Sequence, residues 1–115
     1  NYVTQNNTIA NGTANVNYVS GAVNGTQIWI TPATNISITA NLGGYSGAVT
    51  ILNPSNASNT AITWAGSYTN GTYFAAYSSG AGARLNTSGA VNAIRFFMLG
   101  GSTIASGTFK LYGVL

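Results

Sequence analysis

Apolar and polar residues alternate along this chain in short runs, and a period of two is the spacing of strands. Residues 26–31 read T-Q-I-W-I-T, and over 35–42 the side chains of Ile36, Ile38, Ala40 and Leu42 fall on one face. Similar runs occupy 14–19, 48–52, 60–65, 72–78, 83–86, 91–99 and 108–115. Between them stand Asn24-Gly25, Gly43-Gly44, Asn53-Pro54, Asn70-Gly71, Gly80 to Gly82 and Gly100-Gly101, turn-forming residues that tolerate positive φ. No window sustains the apolar spacing of three and four, and Glu, Lys and Gln are nearly absent, so no helix is expected. Short strands about ten residues apart predict an all-β protein, an antiparallel β-sandwich of jelly-roll type with about eight strands.

A length of 115 residues fits one domain with a single core. Residues 1–13, rich in Asn and Thr, are expected to form a loose arm or linker, and 14–115 the sandwich domain. The run 91–99 is apolar on both sides: Ile94, Phe96 and Met98 fall on one face, Val91, Ala93, Phe97 and Leu99 on the other. A strand in a two-layer protein is wet on one side unless something covers it. Two readings stay open. A second subunit covers Val91, Arg95, Phe97 and Leu99, or a loop of the same chain does.

Composition narrows the chemistry. The chain has no Asp, Glu, His or Cys, and its charged side chains are Arg84, Arg95 and Lys110. Proton transfer near neutral pH needs a group that titrates there, which normally means His or a retuned carboxylate. Zinc, iron and copper sites are built from imidazole, thiolate and carboxylate, and calcium and magnesium sites rely on carboxylates. A serine nucleophile would have Lys110 as its one available base, and a lone lysine in an alternating apolar run is ordinarily a solvated strand residue. The expectation is a protein that is not an enzyme and holds no metal or cofactor. Charged residues are 3% of the chain, so its surface is built from Asn, Ser, Thr and Gly. The net charge of +3 comes from missing acids, and three scattered cations make no nucleic-acid footprint. No apolar run approaches the roughly eighteen residues of a membrane span, and no n-region and h-region pattern is present. Neither nucleic acid nor membrane insertion is expected.

Aromatic residues supply the candidate contacts. Trp29 shares a strand face with Gln27 and Thr31, the polar side, whereas Trp64 shares its face with Ile62 and reads as core. Tyr73 and Tyr77 fall on one side of a strand with Phe74 on the other. Aromatic faces backed by amides and hydroxyls recognise sugars by stacking and hydrogen bonding, which makes Trp29, Tyr73 and Tyr77 candidate ligand or receptor contacts. The same residues also suit a core or an interface. Seven Asn-x-Ser/Thr triplets begin at Asn6, Asn11, Asn24, Asn35, Asn56, Asn70 and Asn86. They are glycosylation acceptors in a secreted protein of a glycosylating host, or the ordinary yield of an Asn-, Ser- and Thr-rich composition.

The stretch from Ala90 reads A-V-N-A-I-R-F-F-M-L-G-G-S-T-I-A-S-G-T-F-K-L-Y-G-V-L. It resembles the C-terminal ends of tailed-bacteriophage virion proteins such as tail fibres, spikes and receptor-binding tips. Those close with a strand N-x-I-R-F-F, a Gly/Ser turn and a last strand G-T-x-x-L-Y-G. Asn92, Ile94, Arg95, Phe96, Phe97, Gly107, Thr108, Leu111, Tyr112 and Gly113 match, over the last quarter of the chain. The zero-acid composition departs from most such proteins. The resemblance implies a β-rich module on the virion surface, usually a homotrimer, serving assembly and host attachment, with itself, other virion proteins and a host-surface glycan as partners. Two other readings remain: a subunit of a secreted, N-glycosylated cell-surface filament or adhesin, and a carbohydrate-binding module.

Overall fold

The computed structural model describes residues 2–11, 16–31, 36, 43–55, 59–69, 75–84, 89–98 and 102–113, the first two strands by their backbone pairing. All regular structure among them is strand, which bears out the all-β expectation. The strands are β1 (Tyr2–Asn11), β2 (Val16–Gly25), β3 (Tyr45–Leu52), β4 (Thr60–Tyr68) and β5 (Ala75–Arg84). They form one five-stranded sheet in the order β2-β1-β5-β4-β3, with every neighbouring pair antiparallel. The order is that of a meander, β3-β4-β5, extended by the β1-β2 hairpin on its far side. The described strands thus give one open sheet, and a second sheet of a sandwich or jelly roll is not among the described residues.

Alternation explains β3 to β5. In β4, Thr60, Trp64, Gly66 and Tyr68 are buried while Thr63, Ala65 and Ser67 are exposed. In β5, Ala76, Ser78 and Gly82 are buried while Ala75, Tyr77 and Ala81 are exposed. Pairing keeps these sets together, with Val49 opposite Trp64, Tyr45 opposite Tyr68, and Tyr68 opposite Ala76. One sheet face is therefore covered and the other is open. Asn53, just after β3, sits at φ 52°, the left-handed region that Asn enters more readily than most residues.

The cover is a strap. β2 and β3 are opposite edges of the sheet, and in the connection between them Ile30 and Ile36, among the described residues, lie on its covered face. Ser78 Oγ, at the centre of β5 and fully buried, donates a 2.6 Å hydrogen bond to the Ile30 carbonyl, and Ile36 packs against Tyr68 and Ala76. Chain crossing over a sheet cannot be a strand within it. This is why 26–31, expected as a strand, is a pair of bends, and why Ile36 makes only an isolated bridge. The remainder of the expected strand 35–42 lies outside the described residues.

Other expectations shift in the same physical way. Tyr2–Asn11, within the stretch expected as a loose arm, is a strand paired on both sides, with Thr8 opposite Tyr18 of β2 and Ser78 of β5. Its ladder comes from backbone groups, which its weak side-chain pattern does not announce. The expected strands 60–65 and 48–52 are present and longer, and 83–86 is in part the end of β5. The expected strands 91–99 and 108–115 are a correction: their described parts, 91–98 and 108–113, join no ladder. They have strand patterning but no partner strand among the described residues.

The buried apolar core of the described residues is thin, comprising Trp64, Tyr68 and Ala76. Tyr45 and Tyr68 stack at 6.5 Å between ring centroids and 27° between planes. Burial of the Trp64 and Tyr68 rings contributes about 1.5–3 kcal/mol each.

Candidate functional site

Two surfaces remain after the strap is in place. The first is the open face of β3 to β5, which presents Ala, Ser and Thr with no charged side chain; Leu52 and Tyr77 are its exposed large residues, each about half accessible. The second is the tail, residues 89–98 and 102–113.

The tail is joined to the sheet at its root. Val91 N donates a 2.7 Å hydrogen bond to the carbonyl of Pro54, in the turn that follows β3. Beyond that point, among the described residues, Ile94, Phe96, Phe97, Ile104, Phe109, Leu111 and Tyr112 are between 37% and 89% exposed, and Met98 is half-buried. Phe96 and Phe109 stack at 5.5 Å and 26°, which lays the two arms of the tail beside each other. The Arg95 guanidinium lies 5.3 Å from the centre of the Phe97 ring. With no carboxylate in the chain, the negative ring face is the interaction this cation finds, worth about 0.5–1 kcal/mol at an exposed position.

The structure separates the residues marked from sequence. Tyr77 lies on the open face of β5. Trp29 is half-buried in the strap and has an interaction of its own; its neighbour Ile30 is bonded to Ser78 on the covered face, so the two aromatics are not gathered into one platform. Tyr73 lies outside the described residues. On the tail, Val91 is half-buried at the root, and Arg95 and Phe97 are exposed; Leu99 lies outside the described residues. Both sides of 91–98 reach water, since Ile94 is as open as Phe97 and Phe96 is also exposed, while Met98 is half-buried. The second arm, with Phe109, Leu111 and Tyr112, belongs to the same surface, and sequence reasoning did not place it there. The two-sided apolar test applied to 91–99 passes it over, because Phe109 and Leu111 alternate with the charged Lys110.

No titrating centre accompanies these surfaces. Burial raises the pKa of the Tyr45 phenol above its ordinary value of 10.0, and the Tyr77 phenol pushes it the same way. The hydroxyls of Tyr45, Thr60 and Thr69 and the indole Nε1 of Trp64 are buried without a hydrogen-bond partner among the described residues. None is joined to a base or a metal-binding cluster; the chain has no Asp, Glu, His or Cys to form one. These surfaces offer apolar area, rings for stacking, and the charged donors of Arg95 and Lys110. Comparison with protein-family models, with curated proteins and with solved structures gives no match.

Proposed function

We propose that the chain is a non-catalytic structural module of a virion, of fibre, spike or capsid-decoration type, which assembles with copies of itself and other virion proteins and faces the host surface. The observation that carries this reading is the tail: an extended, ring-rich segment whose large side chains lie exposed to water. A solvated apolar surface of this kind is a contact surface awaiting its partner. The ending of the chain supplies the virion context through its resemblance to phage fibre and spike termini. In this reading the single sheet is one layer, and association provides the second layer of a jelly-roll-like sandwich. Closed threefold association is the expected symmetry, and Tyr77 on the open face, with Trp29 and Tyr73, is the candidate host-glycan contact.

A filament subunit is the second reading, favoured by the two sheet edges, β2 and β3, that no described strand occupies. Electron microscopy of the purified chain tests both. Closed particles of one size support the virion module, and open threads support the filament. A field of monomers overturns both. Intact mass of the native protein adds a second discriminant, because hexose additions at the Asn triplets fit the filament and not the phage module.

A further inference from the structure

We propose that the β3 edge is the docking site for the tail of a second copy of this chain, with residues 91–98 adding as a strand beside Tyr45–Leu52. The proposal deepens the assembly reading above and rests on it.

Among the described residues the β3 edge is unguarded. Natural sheets protect edge strands with charges, prolines or bulges. β3 reads Y-S-G-A-V-T-I-L, with none of the first two, and its register with β4 runs unbroken from Tyr45 to Leu52. No described strand occupies its outer side, so alternate backbone groups there face outward without a ladder partner.

The tail matches this edge in pattern. A strand added beside β3 would have Val49 and Ile51 as neighbours on the covered side and Leu52 on the open side. An incoming strand needs apolar side chains on both faces to use both neighbourhoods. Residues 91–98 have them, with Ile94, Phe96 and Met98 on one side and Val91, Ala93 and Phe97 on the other, the side on which Arg95 lies over the Phe97 ring. An ordinary edge strand, polar on one side, would waste half of this complementarity.

Area and charge indicate a second copy as the occupant. The seven exposed large side chains of the tail leave on the order of 800 Å² in water, taking aromatics at about 150–250 Å² each. That reaches the roughly 800 Å² per partner of a standard protein interface only when the whole tail is covered, so the second arm, with Ile104, Phe109, Leu111 and Tyr112, docks together with residues 91–98, to which the Phe96–Phe109 stack joins it. In its own chain the tail is bonded to Pro54 at the foot of the β3 edge and still leaves Ile94, Phe96 and Phe97 exposed. The chain bears +3 and no acid, so two copies repel weakly at long range and meet through neutral surfaces. Association between copies should therefore strengthen with salt, whereas docking to an acidic partner would weaken.

Cross-linking tests the seating cleanly, since the chain has no cysteine. Ala48→Cys, exposed on β3, is placed in copies with one tag and Phe97→Cys in copies with another, and the mixture is treated with a short bis-maleimide. The expected product is a mixed-tag dimer whose yield rises with salt. Adding Ile94→Lys and Phe96→Lys to the tail copy should lower that yield by about tenfold or more, the equivalent of about 1.4 kcal/mol or more. Thr50→Cys provides a second edge position should Ala48→Cys disturb the strand. Mixed-tag product that is absent from a sample shown by light scattering to be oligomeric overturns the seating and leaves assembly standing. A doubly substituted chain that links only to itself when diluted into wild-type copies overturns the choice of a second copy. A chain that is monomeric throughout overturns this proposal and the assembly reading together.

Discussion

The Tyr45 ring lies across Gly66 of the adjacent strand. A Cβ built on Gly66 would overlap the Tyr45 hydroxyl and Cζ and come within 2.8 Å of the Ser46 carbonyl oxygen, and one on Gly47 would meet the same hydroxyl at 2.8 Å. Gly47 and Gly66 are directly opposite in the β3–β4 register, so two residues without side chains make the floor on which the phenol rests. An aromatic placed over glycines in this way restores packing that glycine alone removes from a sheet.

Gly66→Ala should therefore destabilise the protein by about 2–3 kcal/mol, the usual cost of forcing a methyl group into filled space. Denaturant unfolding of Gly66→Ala, Tyr45→Ala and the double variant checks the cause. The double variant should be less destabilised than the sum of the singles, since removal of the ring makes room for the methyl. Strict additivity would show that ring and glycine do not meet.

Ser78→Ala should loosen the strap. The hydroxyl is fully buried and bonded to Ile30 at 2.6 Å, so its loss costs about 1–2 kcal/mol and leaves a carbonyl short of a donor. Limited proteolysis should show faster cleavage within 26–44 while amide protection in β4 and β5 is kept. Unchanged cleavage would mean that the strap is held by other contacts.

Thr60→Val should be neutral or raise stability by up to about 1 kcal/mol, because the Thr60 hydroxyl is buried with no hydrogen-bond partner among the described residues and the replacement has nearly its shape. A loss of 1 kcal/mol or more in thermal or chemical unfolding would show that the hydroxyl is bonded.

Melting temperature should be flat between roughly pH 4 and 9, since no side chain titrates there. Above that window stability should fall. The Tyr45 pKa is raised in the folded state, so the unfolded chain releases its proton first; the stabilisation is complete below about pH 10 and is lost as pH rises beyond it. Tyr45→Phe should reduce the alkaline decline. An acid transition near pH 5, or an alkaline decline unchanged in Tyr45→Phe, would contradict this assignment.

Much of the sheet was legible because burial writes a period of two into β4 and β5, where Trp64 and Tyr68 alternate with Ala65 and Ser67. What was illegible has a common cause. Residues 26–31 and 91–98 carry strand patterns just as clear, yet one crosses the sheet and the other leaves it. Alternation reports a chain that is extended with distinct sides; it does not report which backbone it pairs with. Ser78 could not be marked in advance, since the carbonyl it serves lies 48 residues away in sequence. Trp29 and Tyr77 were singled out as candidate ligand or receptor contacts, and nothing local to either encodes that the strap and the open face lie on opposite sides of the sheet.

Static light scattering of the full chain over a wide concentration range, beside a chain ending at residue 89, tests the central claim most directly. The account predicts a full-length mass that rises above 11.7 kDa to a whole-number multiple, and a shortened chain that stays monomeric with its sheet intact by circular dichroism. A full-length mass fixed at 11.7 kDa at every concentration and salt, or an oligomer that survives removal of the tail, would contradict it.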